Sequence, residues 1–153
     1  MIPSGNNAHF LVRSIEPRDA DEVSLLIDQL GYQSSADDVL AWIEKTRLDP
    51  RSQIAFVACL GNEVIGWIEI SIERRLQTPP FALIGGLVVK NELRGKGIGL
   101  RLCECAETWS WDQGVDTLRV TSRSTRTEAH RFYLRDGYRE VKTSLVFEKK
   151  RPQ

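Results

Sequence analysis

Residues 87–99 read LVVKNELRGKGIG, and this stretch restricts the chain more than any other. Leu87, Val88 and Val89 form an apolar strand end, a polar turn follows, and Arg94, Gly95, Lys96, Gly97, Ile98 and Gly99 lead straight into a helical pattern. The three glycines at 95, 97 and 99 keep side chains away from the backbone, so successive N–H groups can converge on a phosphate before the positive end of the next helix. Arg94 and Lys96 bring charge to the same place. The stretch reads either as an anion-holding loop or as a tight turn with two solvated cations. A dinucleotide-binding turn needs G-x-G-x-x-G, and a nucleoside triphosphatase needs two glycines flanking four residues before Lys and Ser or Thr. Neither pattern is present; what stands here is R-x-x-G-x-G.

Any anion site has to be local. Lys plus Arg (21) equals Asp plus Glu (21), so no general field gathers nucleic acid or anionic lipid, and neither is expected as a partner. At 153 residues the chain is long enough for one domain with a proper core. Residues 1–8 are polar and expected to fray, which leaves residues 9–150 as a single domain. Cys59, Cys103 and Cys105 cannot pair completely, and the last two point to different sides of a predicted helix, so all three are read as reduced core or near-surface thiols. His9 and His130 are the only histidines, too few to build a metal site around C-x-C, and no metal is expected. The start of the sequence lacks a basic segment with an apolar run, and no window reaches membrane-span length, which predicts a cytoplasmic protein.

Alternation over residues 9–15 predicts a first strand. Pro17 then opens a helix with Val23, Leu26, Ile27 and Leu30 at helical spacing, ended by Gly31. A second helix starts at Ser35 as cap, carries Asp37 and Asp38 in its first turn, and stops at Asp49-Pro50. Residues 53–60 are a buried strand turned by Gly61-Asn62 into a partner, residues 63–73. There Val64, Ile68, Ile70 and Ile72 take one face, and Ile65, Trp67, Glu69 and Ser71 the other. A loop with Arg74, Arg75 and Pro79-Pro80 leads into a central strand, residues 81–89, whose Gly85-Gly86 suggests a bulge or a close backbone approach. After the glycine loop, Ile98, Leu102, Cys105, Ala106 and Trp109 mark a helix closed by Gly114. A strand over residues 115–121, a short helix over 125–135 and a final extended segment over 138–149, with Val141, Leu145 and Phe147 alternating inward, complete the chain. The expected fold is α/β, a mixed and mostly antiparallel central sheet flanked by helices in the order β-α-α-β-β-β-α-β-α-β.

Both that order and two local motifs resemble the GNAT superfamily of acyl-coenzyme A N-acetyltransferases. The first motif is R-x-x-G-x-G, similar to the family's pyrophosphate loop. The second is Ala129-His130-Arg131-Phe132-Tyr133 followed by Gly137-Tyr138, similar to its A-x-x-F-Y-x-x-x-G-[FY] segment. The two stand in the right order, a strand and a helix apart, and the likeness spans nearly the whole chain.

The resemblance implies acetyl-CoA as co-substrate. Its pantetheine arm would pair with main-chain groups of Leu87, Val88 and Val89, and the N–H near Leu87 would polarise the thioester carbonyl. Arg94, Gly95, Lys96, Gly97, Ile98 and Gly99 would hold the pyrophosphate. Arg126 stands where many members carry Asn, so it reaches a cofactor phosphate or is a surface cation. Glu69 and Glu73 are candidates for taking the ammonium proton, or they are the polar face of a half-exposed strand. Tyr133 would protonate or stabilise the departing thiolate, or it packs beside Phe132. Tyr32 would shape an acceptor pocket or pack as a cap. The implied reaction is direct acetyl transfer to the primary amine of a small molecule, the turn at Leu30 to Tyr32 and the AHRFY helix being nearest in style to aminoglycoside-type members. A protein N-terminal amine is the alternative acceptor, and a catalytically silent coenzyme A-binding module the alternative function. An exposed edge strand admits a homodimer.

Overall fold

The computed structural model describes residues 9–153, so the expected fraying of residues 1–8 lies outside the described part. Two compact units emerge, one ending at Thr121 and one over Ser122–Gln153.

The first unit holds a five-stranded sheet in the order β1 (Leu11–Ser14), β2 (Gln53–Leu60), β3 (Glu63–Arg75), β4 (Thr78–Val89), β5 (Leu118–Val120). All neighbours are antiparallel except β4 and β5, which are parallel. The helices are α1 (Ala20–Gln29), α2 (Ala36–Arg47) and α3 (Ile98–Asp112). The mixed sheet and the element order through β5 are those expected. Ser35 caps α2 as its sequence predicts: its hydroxyl accepts from Asp38 N–H at 3.1 Å, and Asp38 returns the bond to Ser35 N–H at 3.0 Å.

Two bulges decide which way the side chains of β3 face. Cys59 pairs with Val64 but Ala58 with Gly66, so Ile65 is an extra residue and the face flips between Val64 and Trp67. Contrary to strict alternation, Val64 therefore joins Trp67 in one core cluster with Val57, Val88, Leu26 and Ile43 under α1 and α2. The opposite face packs on α3 through Ile98, Leu102, Cys103 and Ala106, all nearly inaccessible. Cys103 takes the core position predicted for Cys105, which is half-buried; neither is in a disulfide among the described residues.

The second bulge lies where two adjacent glycines predicted it. Glu69 pairs with Gly86 and Ile70 with Ile84, so Gly85 has no opposite number. The loop expected around Arg74 and Arg75 is instead strand on both sides of a turn at Leu76 and Gln77. Pro79 and Pro80 are tolerated because they fall in the irregular stretch between the Glu73–Phe81 and Arg75–Thr78 pairs, where ladder donors are not required.

In the second unit, α4 (Thr127–Arg135) is closed as its Asp-Gly predicts. Gly137 has φ of 91°, its N–H donates to Leu134 C=O at 3.3 Å, and Tyr138 N–H donates to Tyr133 C=O at 3.0 Å. The final strand is not formed: residues 138–153 carry no ladder, and Val141, Leu145 and Phe147 are 62%, 79% and 88% exposed. Alternation marks a segment competent to be a strand, but a strand exists only with a partner for its backbone groups, and the period cannot supply one.

Candidate functional site

The site begins where β4 loses its outer neighbour. Because β5 pairs only with Ala82, Leu83 and Ile84, β4 has no strand beside it in the sheet from Gly85 to Val89. Leu87, Val88 and Val89 thus stay held by β3 opposite Ile68, Trp67 and Gly66, while among the described residues no strand of the sheet pairs with their other edge. One group on that segment is already engaged: the Gln29 side chain donates its amide N–H to Val89 C=O at 2.8 Å, tying the end of α1 to the end of β4.

Beyond Val89 the chain makes a short 3-10 turn over Asn91–Leu93 and enters the glycine loop. Gly95 and Gly97 have φ of 80° and 83°, a left-handed conformation costing an ordinary residue about 1–2 kcal/mol. Gly97 is the N-cap of α3 and supplies no side-chain bond, so no capping side chain covers the first N–H groups of a 15-residue helix. Arg94 and Lys96 are exposed and pair with no carboxylate among the described residues, while Ile98 is buried and anchors the helix start. Bare N–H groups, a positive helix end and two unpaired cations make a chemical fit for a pyrophosphate.

Glu69 sits at the bulge. Its side chain crowds the bare Cα of Gly85, where an added Cβ would lie 3.2 Å from the Glu69 carboxyl carbon. It has no hydrogen bond or ion pair among the described residues, and burial pushes its carboxyl above the ordinary range. A carboxylate whose hold on a proton is strengthened in this way has the chemistry of a general base. Glu73 shares the face but is more open and lies 3.7 Å from the Arg75 guanidinium. The neighbouring Trp67 ring fills the space above Gly86, and its indole N–H is buried without a partner.

The turn between α1 and α2 borders a cavity of about 690 Å³ lined by Asp28, Tyr32, Gln33, Ser35 and Asp38. Tyr32, expected to shape an acceptor pocket or to pack as a cap, is exposed and lines this hollow. In the second unit, Tyr133 on α4 makes edge-to-face contacts with Phe132 at 5.3 Å and Tyr138 at 5.6 Å between ring centroids. Arg126 is the exposed N-cap residue of α4, and its side chain does not cap the helix. Among the described residues no group of three His, Cys, Asp or Glu side chains is gathered as metal ligands would be, and no helix is long and apolar enough to cross a membrane.

Sequence reasoning missed three participants. Gln29 carries no local signal, since its target is 60 residues away. Arg119 is a cation between Leu118 and Val120, and that alternation was available to read. It lies 4.3 Å from the centre of the buried Phe81 ring, and Arg75, from the other neighbouring strand, lies 5.0 Å from the same centre.

A sheet opened at a bulge ahead of an uncapped glycine-led helix defines an acyl-CoA transferase fold, and the chain belongs to the acetyltransferase (GNAT) family, whose model matches residues 20–138. It is an acyl-CoA-dependent N-acyltransferase. Among curated proteins it is 31% identical over 135 residues to the aminoalkylphosphonate N-acetyltransferase of Salmonella typhimurium, covering 84% of each chain. In fold it is similar to an aminoglycoside N-acetyltransferase solved in complex with coenzyme A, at a TM-score of 0.82 and 19% identity over 98% of this chain and 99% of that one. The aminoglycoside 6'-N-acetyltransferase of Acinetobacter baumannii gives 0.80 and 19% over 94% and 100%.

Proposed function

We propose that residues 9–150 work as one domain that transfers the acetyl group of acetyl-CoA directly to the primary amine of a small molecule. The observation that carries this reading is the unpaired, half-buried Glu69 carboxylate beside the open edge of β4. An attacking ammonium must lose a proton, and Glu69, raised in pKa by burial, takes it directly or through a water. Glu73 is a weaker candidate because Arg75 lies next to it.

The other roles follow from the family likeness and from fit. The open edge at Leu87, Val88 and Val89 receives the pantetheine arm, with an N–H near Leu87 facing the thioester oxygen as charge develops there. Arg94, Gly95, Lys96, Gly97, Ile98 and Gly99 hold the pyrophosphate. Arg126 adds a cation for a coenzyme phosphate, and Tyr133 donates a proton to the departing thiolate. The named relatives act on aminoalkylphosphonates and aminoglycosides, which favours a small-molecule acceptor in the cytoplasm over a protein N-terminus.

The test is release of coenzyme A thiol against a panel of small amines across pH. Turnover with some of them is expected. Glu69→Gln should lower turnover most at low pH, where the amine is most protonated, and leave acetyl-CoA binding intact. Acetyl-CoA binding without turnover of any amine or any peptide N-terminus would instead identify a silent coenzyme A-binding module. An unaltered pH–rate profile in Glu69→Gln, Glu73→Gln and the double variant would remove both carboxylates from the mechanism.

A further inference from the structure

The two arginines over Phe81 are not explained by acetyl transfer as such. Residues directly opposite across a ladder share a face, and the registers therefore connect the chemistry of three strands on one side of the sheet. Glu69 opposes Gly86, Ser71 opposes Leu83, and Leu83 opposes Arg119; Glu73 opposes Phe81, with Arg75 two residues further along the same face. The candidate base and both guanidiniums thus stand on one face. The guanidiniums lie on the side of the bulge away from the glycine loop along β4, and Glu69 lies at the bulge itself.

The pair has the chemistry of an anion clamp. Phe81 is only 3% exposed, so it is a fixed platform, and the two guanidiniums approach it from the strands on either side. Arg119 is half-buried, and none of its five N–H donors has an acceptor among the described residues. Arg75 has Glu73 at 3.7 Å, beyond hydrogen-bond length, so its donors are also open and the cluster keeps a net positive charge. A carboxylate is satisfied by one guanidinium fork. A phosphono or phosphate group, with three oxygens arranged in a tetrahedron, can accept from two forks at once.

We propose that Arg75 and Arg119 select the acceptor, and that the amine acetylated by this enzyme carries a phosphono or phosphate group at its far end. The proposal rests on the acetyltransferase reading above. The position of Glu69 and that of Phe81 are two same-face steps apart, about 13 Å along the strand. With a hydrogen bond at each end, that leaves room for a short aliphatic spacer of roughly two to four carbons. A bulky polycation has no counterpart in such an arrangement.

The experiment is steady-state kinetics with aminoethylphosphonate, phosphoethanolamine, β-alanine and the neutral aminopropanol, for wild type, Arg119→Met, Arg75→Met, the double variant and Arg119→Lys. Acetyl-CoA affinity by calorimetry verifies that each variant is folded, and methionine keeps the aliphatic contact with the ring. The reading is the ratio of kcat/KM for the phosphorus-bearing amine to that for aminopropanol. That ratio should be on the order of 100 in wild type and fall about 10-fold or more in each methionine variant, since a charge-assisted bond is lost. Arg119→Lys should fall between, keeping the charge without the fork. Whichever of phosphonate and phosphate ester gives the higher value identifies the source of the group. Equal use of charged and neutral amines by wild type, a ratio that survives in the double variant, or a preference for β-alanine would overturn the proposal while leaving acetyl transfer standing. No turnover of any amine by an enzyme that binds acetyl-CoA would overturn both.

Discussion

Gly86→Ala should destabilise the protein although it adds a single methyl group. The ideal Cβ at Gly86 lies 2.5 Å from Trp67 Cη2 and 2.9 Å from Cζ3, whereas non-bonded carbons settle at about 3.5–4.0 Å. The ring would have to retreat by about 1 Å. It is 6% exposed and wedged among Val57, Val88, Leu26 and Ile43, so no empty space receives it. Overpacking of this kind costs about 1–3 kcal/mol, and an overlap this deep belongs in the upper half of that range. A stiffer unfolded chain returns about 0.4–1 kcal/mol, leaving a net loss of about 1–2.6 kcal/mol. For a chain of this size that lowers the melting temperature by roughly 2–10 °C. Gly85→Ala is the internal control. Its Cβ meets the flexible end of Glu69 at 3.2–3.3 Å, and neither glycine has a positive φ, so its melting temperature should stay within about 2 °C of wild type. Its turnover should fall, because the displaced carboxylate is the proposed base. Thermal unfolding by circular dichroism, alongside thiol-release kinetics, reads both. A Gly86→Ala melt within about 1 °C of wild type, or a larger loss in Gly85→Ala, would refute the assignment of Trp67 as the wall of the bulge.

Gly97→Val should weaken acetyl-CoA binding in a folded protein, because a β-branched residue disfavours the φ of 83° that turns the loop's N–H groups outward; unchanged calorimetric affinity would remove the loop from coenzyme binding. Glu69→Gln should be more stable than wild type at pH 8, with the gap closing as pH falls through the raised folded value and fully closed below the unfolded carboxyl value of about 4.3. The sign follows from burial: a carboxyl whose folded pKa is raised contributes stability below its unfolded pKa and loses it as pH rises through the folded value, whereas Gln does not titrate. Denaturant titrations at three pH values give the comparison, and a constant gap would deny the shift. Tyr133→Phe should keep its edge-to-face contacts and slow the chemical step about 10²- to 10⁴-fold in single-turnover kinetics; wild-type chemistry would leave Tyr133 as a packing residue.

What was legible in the sequence is what local chemistry dictates. The Ser35 cap, the Asp-Gly stop after α4, the glycine-led start of α3 and the bulge at Gly85-Gly86 each depend on a few adjacent residues, and each is where the sequence puts it. Features set by distant pairing were not legible. One extra residue at Ile65 moved Val64 to the other face of β3, and no period-2 count along a single strand detects a bulge that exists only relative to its partner. The final strand failed for the same reason, its alternation being real and its ladder absent. At the site, Glu69 was readable as a carboxylate facing with Trp67, but its lack of an ion pair among the described residues was not. That lack separates it from Glu73, which the sequence left equal to it.

The parts of the site are mechanically one device, and this explains why the glycines of β4 come as a pair. A bulge needs only one extra residue, and Gly85 supplies it. Gly86 is required for a different reason: Trp67 lies over it, and any side chain there would push the ring off the core. With the ring seated, Val88 stays packed against Trp67, and the segment that follows keeps its hold on β3 while its other edge is bare. Gly85 in turn leaves the Glu69 carboxyl room to lie against the backbone, where burial raises its pKa. One glycine therefore holds in place the β4 segment proposed to receive the thioester, and the other leaves room for the carboxyl whose pKa burial raises. Substituting either should disturb both, but in opposite order: stability first for Gly86, proton transfer first for Gly85.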